Sequence, residues 1–380
     1  MKRLTTILFI LLWSSSSLAQ FPQISQQDFT ANDQRLAKPI GKSKNNELTI
    51  ASFNIRNLAA RQRSLKDFEK LVDLVDEADV VLIQEAGLGV YSGSAVSNSQ
   101  EKRMKALTSV LSVYFGDKWM VIMGSQPSGV GSGTETTILA HKKSAPGYNI
   151  EVTWDGYIDL GDKRDMALFK VTLSNNSESK DLYLASVHLT PEDPDRGDQM
   201  IRAVDWMVSN NSKQVIIMGD LNWGYKRKSG VENYLGEQRV KSLHEQEELF
   251  QLFYELSYLG KSDESKMRTN MGFRKGGYFY DQFLMSPSLA NQMADGGELQ
   301  KDCGILAFDI RSKMMRDAIN RAKKTRSYGL GRFTKHADID MAEHQESFKK
   351  AEKDIVNQAA NDATFIVSDH RIIWMQLSMW

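Results

Sequence analysis

Apolar and polar positions alternate, cluster and break along this chain in a way that predicts most of its elements. Residues 47–54, ELTIASFN, alternate and end on Asn54, which predicts a strand. Ser64 can cap a helix over 65–77, with Leu65, Phe68, Leu71, Val72 and Val75 on one stripe. Residues 79–85, DVVLIQE, form a short apolar run ending in a carboxylate, the pattern of a buried strand. Met104, Leu107, Val110, Leu111 and Phe115 predict a helix over 99–115, and a strand at 119–123 follows. Runs at 134–141, 149–154, 165–173 and 181–189, parted by Asn, Ser, Gly and Asp, predict antiparallel hairpins. A helix over 198–208 precedes QVIIMGDLN, 214–222, a second buried strand. Residues 231–260 read as mostly helical, and 278–285 and 370–377 as the last strands. The intervening 286–365 shows no strand pattern and reads as a helical insertion, with helices near 311–326 and 341–360. Strands and helices in this order predict an α/β (α+β) sandwich of two mainly antiparallel sheets with helices outside.

Composition narrows the class. The chain has 380 residues, 41% hydrophobic and 25% charged, which is globular composition and enough for one large domain. Residues 1–20 read as a signal peptide, with Lys2 and Arg3, an apolar core from Ile7 to Trp13, and Ser17-Leu18-Ala19 before the cut. That core is too short to span a bilayer, so no stable membrane insertion is expected, and the expected location is secreted or periplasmic. Residues 21–46 are polar and aperiodic, a flexible lead-in to a domain over 47–380. Without residues 1–20 the chain carries 46 basic and 48 acidic residues, so global charge does not announce a nucleic-acid partner. Cys303 is the only cysteine, which rules out an internal disulfide.

The candidate chemistry lies at the predicted strand ends: Asn54, Glu85, Glu135, His188, Asp220, Asn222, Asp281, Asp369 and His370. Each alone has an ordinary explanation, as a turn residue, a surface acid or a packed histidine. Asp220 and Asn222, two apart, point to one side on an extended chain and together offer oxygen acceptors and an N–H donor, a set suited to a hard cation or a phosphate. Two histidines and several carboxylates at strand ends exceed what turns explain. The ordered series SFNIRNL, IQEA, TETTILAHK, SVHLTP, GDLN, YDQFL and SDH resembles the endonuclease/exonuclease/phosphatase superfamily, within it the deoxyribonuclease I branch.

That resemblance implies a four-layer α/β sandwich and metal-dependent phosphoester hydrolysis. It implies that Asn54 and Glu85 hold Mg²⁺, or Ca²⁺ or Mn²⁺, with Asp369 nearby. Asp220 and Asn222 would orient the attacking water and the phosphate, His188 would pair with Glu135, and His370 with Asp281. A carboxylate bonded to imidazole fixes its tautomer and favours the charged form. Arg164 would support the site and bind phosphate. Gly87 and Gly133 stand where that branch has a DNA-contacting arginine and tyrosine.

Two substrate classes compete among catalysts: nucleic acid, and the phospholipid or inositol phosphate of sphingomyelinase-like enzymes and phosphatases on this scaffold. A third reading is a non-catalytic binding protein, which the filled hydrolytic positions disfavour. Residues 311–335 hold nine basic residues, Lys323, Lys324 and Arg326 among them, against the single acid Asp317, with Tyr328 and Phe333 interleaved. Lys226, Arg227 and Lys228 follow the GDLN strand end. Basic residues with isolated aromatics suit a nucleic-acid strand, a solvated helix face being the plain alternative. The expectation is an exported, monomeric nuclease cleaving DNA or RNA, with the insertion gripping substrate.

Overall fold

The computed structural model describes residues 39–55, 68–86, 108–109, 111–124, 136–161, 164–191, 195–223, 235–253, 279–294, 303–306 and 370–379. In chain order its elements are β1 (Glu47–Asn54), α1 (Phe68–Val75), β2 (Val80–Gln84), β3 (Trp119–Met123), β4 (Ile138–Lys142), β5 (Ser144–Ala145), β6 (Tyr148–Ile158), β7 (Met166–Ser174) and β8 (Ser179–His188). They continue with α2 (Asp195–Ser209), β9 (Val215–Asp220), α3 (Leu235–Glu245), β10 (Phe250–Gln251), β11 (Asp281–Met285), α4 (Pro287–Ala294), β12 (Cys303–Ile305) and β13 (Ile373–Ser378). Residues 111–115 are also helical.

The strands form a six-stranded sheet, β12-β13-β1-β2-β4-β3, and a seven-stranded sheet, β10-β11-β9-β8-β7-β6-β5. Each holds one parallel pair, β1 with β2 and β8 with β9; every other pairing is antiparallel. The strand period of two sorts side chains between two layers. In β1, Leu48 and Ile50 enter the core between the sheets, while Ala51 and Phe53 face the helical layer. In β2, Val80 and Leu82 point inward, and Val81 and Ile83 outward. Leu182 and Leu184 of β8, Ile216 and Met218 of β9, and Phe283 and Met285 of β11 complete the inner core. Leu71 and Val75 of α1, with Leu111 and Phe115, cover the outside of the first sheet. Met200, Ala203, Val204 and Met207 of α2, with Val240 and Leu243 of α3, cover the second. The result is helix, sheet, sheet, helix. Among the described residues no helix is long and apolar enough to cross a membrane.

Four expectations change. Residues 39–46 are part of the domain: Ile40 joins the outer core, and Ser43 bonds the buried Asp79, which also accepts from the Thr49 amide at 2.9 Å. The helical expectation for 231–260 holds over Leu235–Glu245, which is most of the described residues 235–253, but not beyond it. Helix α3 stops at Glu245, and Phe250–Gln251 pairs with β11, because Phe250 packs among the inner-core aromatics. The strand expected at 149–154 runs on to Ile158 by taking up a bulge between Trp154 and Gly156. The stretch 286–365, expected without strands, opens with α4 and carries β12, which pairs with β13; Leu289, Ala290, Cys303 and Ile305 lie in the inner core. Three residues are too few for periodicity to show. The helices expected near 311–326 and 341–360 lie outside the described residues.

Candidate active site

The inward column of each central strand starts apolar and ends polar, and the polar ends meet. Above Leu48 and Ile50 stand Ser52 and Asn54; above Val80 and Leu82, Gln84; above Leu182 and Leu184, Ser186 and His188; above Ile216 and Met218, Asp220. Strand β11 runs the other way, so its first residue, Asp281, falls at the same end. The register sets His188, Asp220 and Asp281 side by side on three adjacent strands. Below them the Gln84 amide donates across the gap to Ser186 Oγ at 3.0 Å and tethers one sheet to the other.

Asp220 is the hub. Its Oδ2 lies 3.1 Å from Asn54 Nδ2, 3.5 Å from His188 Nε2 and 3.6 Å from His370 Nε2. Its Oδ1 accepts the Asn222 amide at 2.7 Å. Asn54 Nδ2 also donates to Glu85 Oε1 at 3.0 Å, and that oxygen is 3.8 Å from His188 Nε2. His370 Nδ1–H donates to Asp281 Oδ2 at 2.8 Å, which fixes the tautomer and turns Nε2 towards Asp220. Arg164 Nη1 donates to the carbonyls of His188 and Leu189 at 3.0 and 3.1 Å, bracing the end of β8.

Three backbone positions are unusual. Glu85 and Asn222 have φ of 53° and 49°, in the left-handed region. Such residues cost about 1–3 kcal/mol each and are kept where surroundings impose them. The expectation that Asp220 and Asn222 share a side on extended chain is corrected: β9 ends at Asp220, the chain turns, and Asn222 Nδ2 donates to the Leu189 carbonyl at 2.6 Å. Gly219 has φ 134°, and a Cβ there would lie 2.1 Å from the Val187 carbonyl oxygen. The glycine of GDLN is what lets β9 lie against β8.

Burial, then the Arg164 guanidinium, pulls the His188 imidazole down to about 4, against the attraction of Asp220 and Glu85. A ring 10% exposed loses more hydration than these two carboxylates return. Asp220 is pushed up, by burial above all.

Glu135, Asp369, Lys226, Arg227, Lys228, Lys323, Lys324 and Arg326 lie outside the described residues. The structure brings Asn54, Glu85, His188, Asp220, Asn222, Asp281, His370 and Arg164 to one end of the sandwich. Among the described residues no three His, Cys, Asp or Glu side chains form a ready metal cluster. The residue chemistry still fits a hard cation, because the Asn54 carboxamide stands beside the Glu85 and Asp220 carboxylates, an oxygen-rich set. Reading by motif missed Gln84, Arg196 and Gln199. Arg196 Nη1 donates to the Asn222 carbonyl at 3.1 Å, and Gln199 accepts the Thr190 amide at 2.9 Å. Their signal was three polar residues inside otherwise apolar faces.

No family model matches the chain, and no curated protein matches it. Among solved structures it is similar to an endonuclease/exonuclease/phosphatase family protein from Bacteroides thetaiotaomicron, at 12% identity, over 65% of this chain and 85% of that one, with a TM-score of 0.40. It is similar to TDP2 from D. rerio complexed with single-strand DNA product, at 14% identity, over 87% of this chain and 99% of that one, with a TM-score of 0.43. A mannosyl-6-phosphatase from Bacteroides thetaiotaomicron matches at 12% identity, over 68% of this chain and 87% of that one, with a TM-score of 0.38.

Proposed function

We propose that this protein is an exported, divalent-cation-dependent phosphoester hydrolase whose substrate is a nucleic-acid phosphodiester. The observation that carries the reading is Asp220 Oδ2, set between the Nε2 atoms of His188 and His370 at 3.5 and 3.6 Å. A buried carboxylate between two imidazoles is a site for moving protons and aligning a water. Asp220 orients the attacking water. His370, held by Asp281 through Nδ1, presents Nε2 to the phosphoryl group and carries a proton to or from it. His188 enters as a neutral imidazole at neutral pH, braced by Arg164. Asn54 and Glu85, with Asp369 as the family resemblance implies, are the residues that would hold Mg²⁺ or a related ion. When bound, that ion neutralises phosphate charge and polarises the scissile bond. Nucleic acid is favoured by the basic runs at 226–228 and 311–335.

The test is incubation of the purified protein with plasmid DNA, RNA and sphingomyelin vesicles, each with Mg²⁺ and with EDTA. Metal-dependent cleavage of a polynucleotide is expected. Cleavage of sphingomyelin alone would transfer the same chemistry to lipid. No hydrolysis of any of the three, or of a chromogenic phosphodiester, rejects it.

A further inference from the structure

We infer that a buried ion pair, Arg196 of α2 with Glu237 of α3, is a positioning device for Asp220; the inference rests on the hydrolase reading above. Arg196 is fully buried and Glu237 nearly so, with Nη2 to Oε1 at 3.3 Å. The dipeptides around them explain the encounter. Arg196-Gly197 and Gly236-Glu237 each set a glycine beside the charge. A Cβ on Gly236 would lie 2.8 Å from Met200 Cβ and 2.9 Å from the Gly197 carbonyl oxygen. The two helices thus cross backbone to backbone, and this close approach brings the two long side chains together out of water.

A buried ion pair seldom stabilises a fold beyond what an apolar pair of the same size would give. Its value here is directional. The planar guanidinium has donors in fixed directions. With Nη2 toward Glu237, Nη1 meets the Asn222 carbonyl at 3.1 Å. Asn222 is left-handed, its amide holds Asp220 Oδ1 at 2.7 Å, and its side chain holds the Leu189 carbonyl at 2.6 Å. One turn along α2, Gln199 holds the Thr190 amide at 2.9 Å. The first turns of α2 therefore grip both segments that leave the sheet at the site, after β8 and after β9. Arg196 acts through Asn222 on the direction of the Asp220 carboxylate.

The test is the double variant Arg196→Met/Glu237→Met, which removes both charges of the pair together at nearly constant volume, so that neither is left buried without the other. Three quantities are read in wild type and variant: the thermal midpoint, the Asn222 backbone amide by NMR, and kcat and KM on a small chromogenic phosphodiester. The expected result is a midpoint near wild type, with an Asn222 amide proton shifted upfield and faster in exchange. With it, kcat falls by roughly ten- to a hundredfold at unchanged KM, the scale of a misplaced catalytic group. An unmoved Asn222 amide overturns the inference. So does a shifted amide with unchanged kcat, and so does a kcat loss equal to the fraction unfolded. If the wild type hydrolyses no phosphoester, the hydrolase reading fails, and the amide result by itself upholds or overturns the grip of Arg196 on the turn.

Discussion

His370 Nδ1 lies 2.8 Å from Asp281 Oδ2, although 89 residues separate them in the chain. The pair is buried, and the Nδ1–H bond leaves Nε2 as the ring atom facing Asp220. Asp281→Asn keeps the shape but offers the ring an amide in place of a carboxylate, so the tautomer is no longer held. The expected result is a folded protein whose kcat on a phosphodiester falls by roughly 10²–10⁴-fold, the range for losing acid–base catalysis. Near wild-type turnover would make the pair structural only.

Excess EDTA is expected to abolish hydrolysis, and added Mg²⁺ to restore it. Glu85→Gln should weaken Mg²⁺ binding measured by calorimetry, because it replaces one of the two carboxylates at Asn54 with a neutral amide. Full activity in EDTA, or unaltered Mg²⁺ affinity in the variant, would reject this assignment.

Gly219→Ala places a methyl 2.1 Å from a main-chain oxygen at a φ of 134°. The obstructing atom belongs to the β8–β9 ladder and cannot swing aside. A loss of roughly 3 kcal/mol in urea unfolding is expected, the upper end for overpacking and backbone strain. An unchanged midpoint would show that β9 does not need the close approach.

Acid should destabilise the fold before the carboxylates titrate. His188 and His244 are both drawn from 6.5 down to about 4 by burial. His244 Nδ1 accepts the Gln251 amide at 3.2 Å, a bond the charged ring cannot keep. Between about 6.5 and 4 the unfolded chain binds more protons than the fold. Stability is therefore present above about 6.5, is lost as pH falls through that window, and levels off below about 4. For His188 the loss is on the order of 3 kcal/mol at most. Asp220, raised by burial, works in the opposite sense. Urea titrations at pH 7 and 4.5 measure the sum, and His244→Gln should flatten it. A pH dependence left unaltered by His244→Gln would contradict the neutral, buried state of that ring.

If the 311–335 stretch meets phosphates, reversing charge at Lys323, Lys324 and Arg326 should raise KM for polynucleotides and leave a small phosphodiester unaffected. The log–log salt slope of duplex-DNA binding should shrink by about 0.9 for each lost contact. An unchanged slope and KM would remove this stretch from the substrate path.

The order of residues by itself determined the longer strands and the polar groups at their ends. Pleating is local: a residue two positions beyond an inward leucine points inward, whatever pairs beside it. Asn54, His188 and Asp220 were therefore legible as the tops of apolar runs, each set off by alternation or by its neighbours. What only the tertiary structure decided is what those groups meet. Counted back by twos from Trp374, His370 belongs on the helix-covered face; it reaches Asp281 because β13 starts three residues later and the chain leaves its ladder there. The turn that carries Asn222 into the left-handed region is held locally by Asp220 and from other segments by Arg196 and Leu189. The neutral state of His188 is set by the water that surrounding elements exclude, and that quantity is not written at any single position.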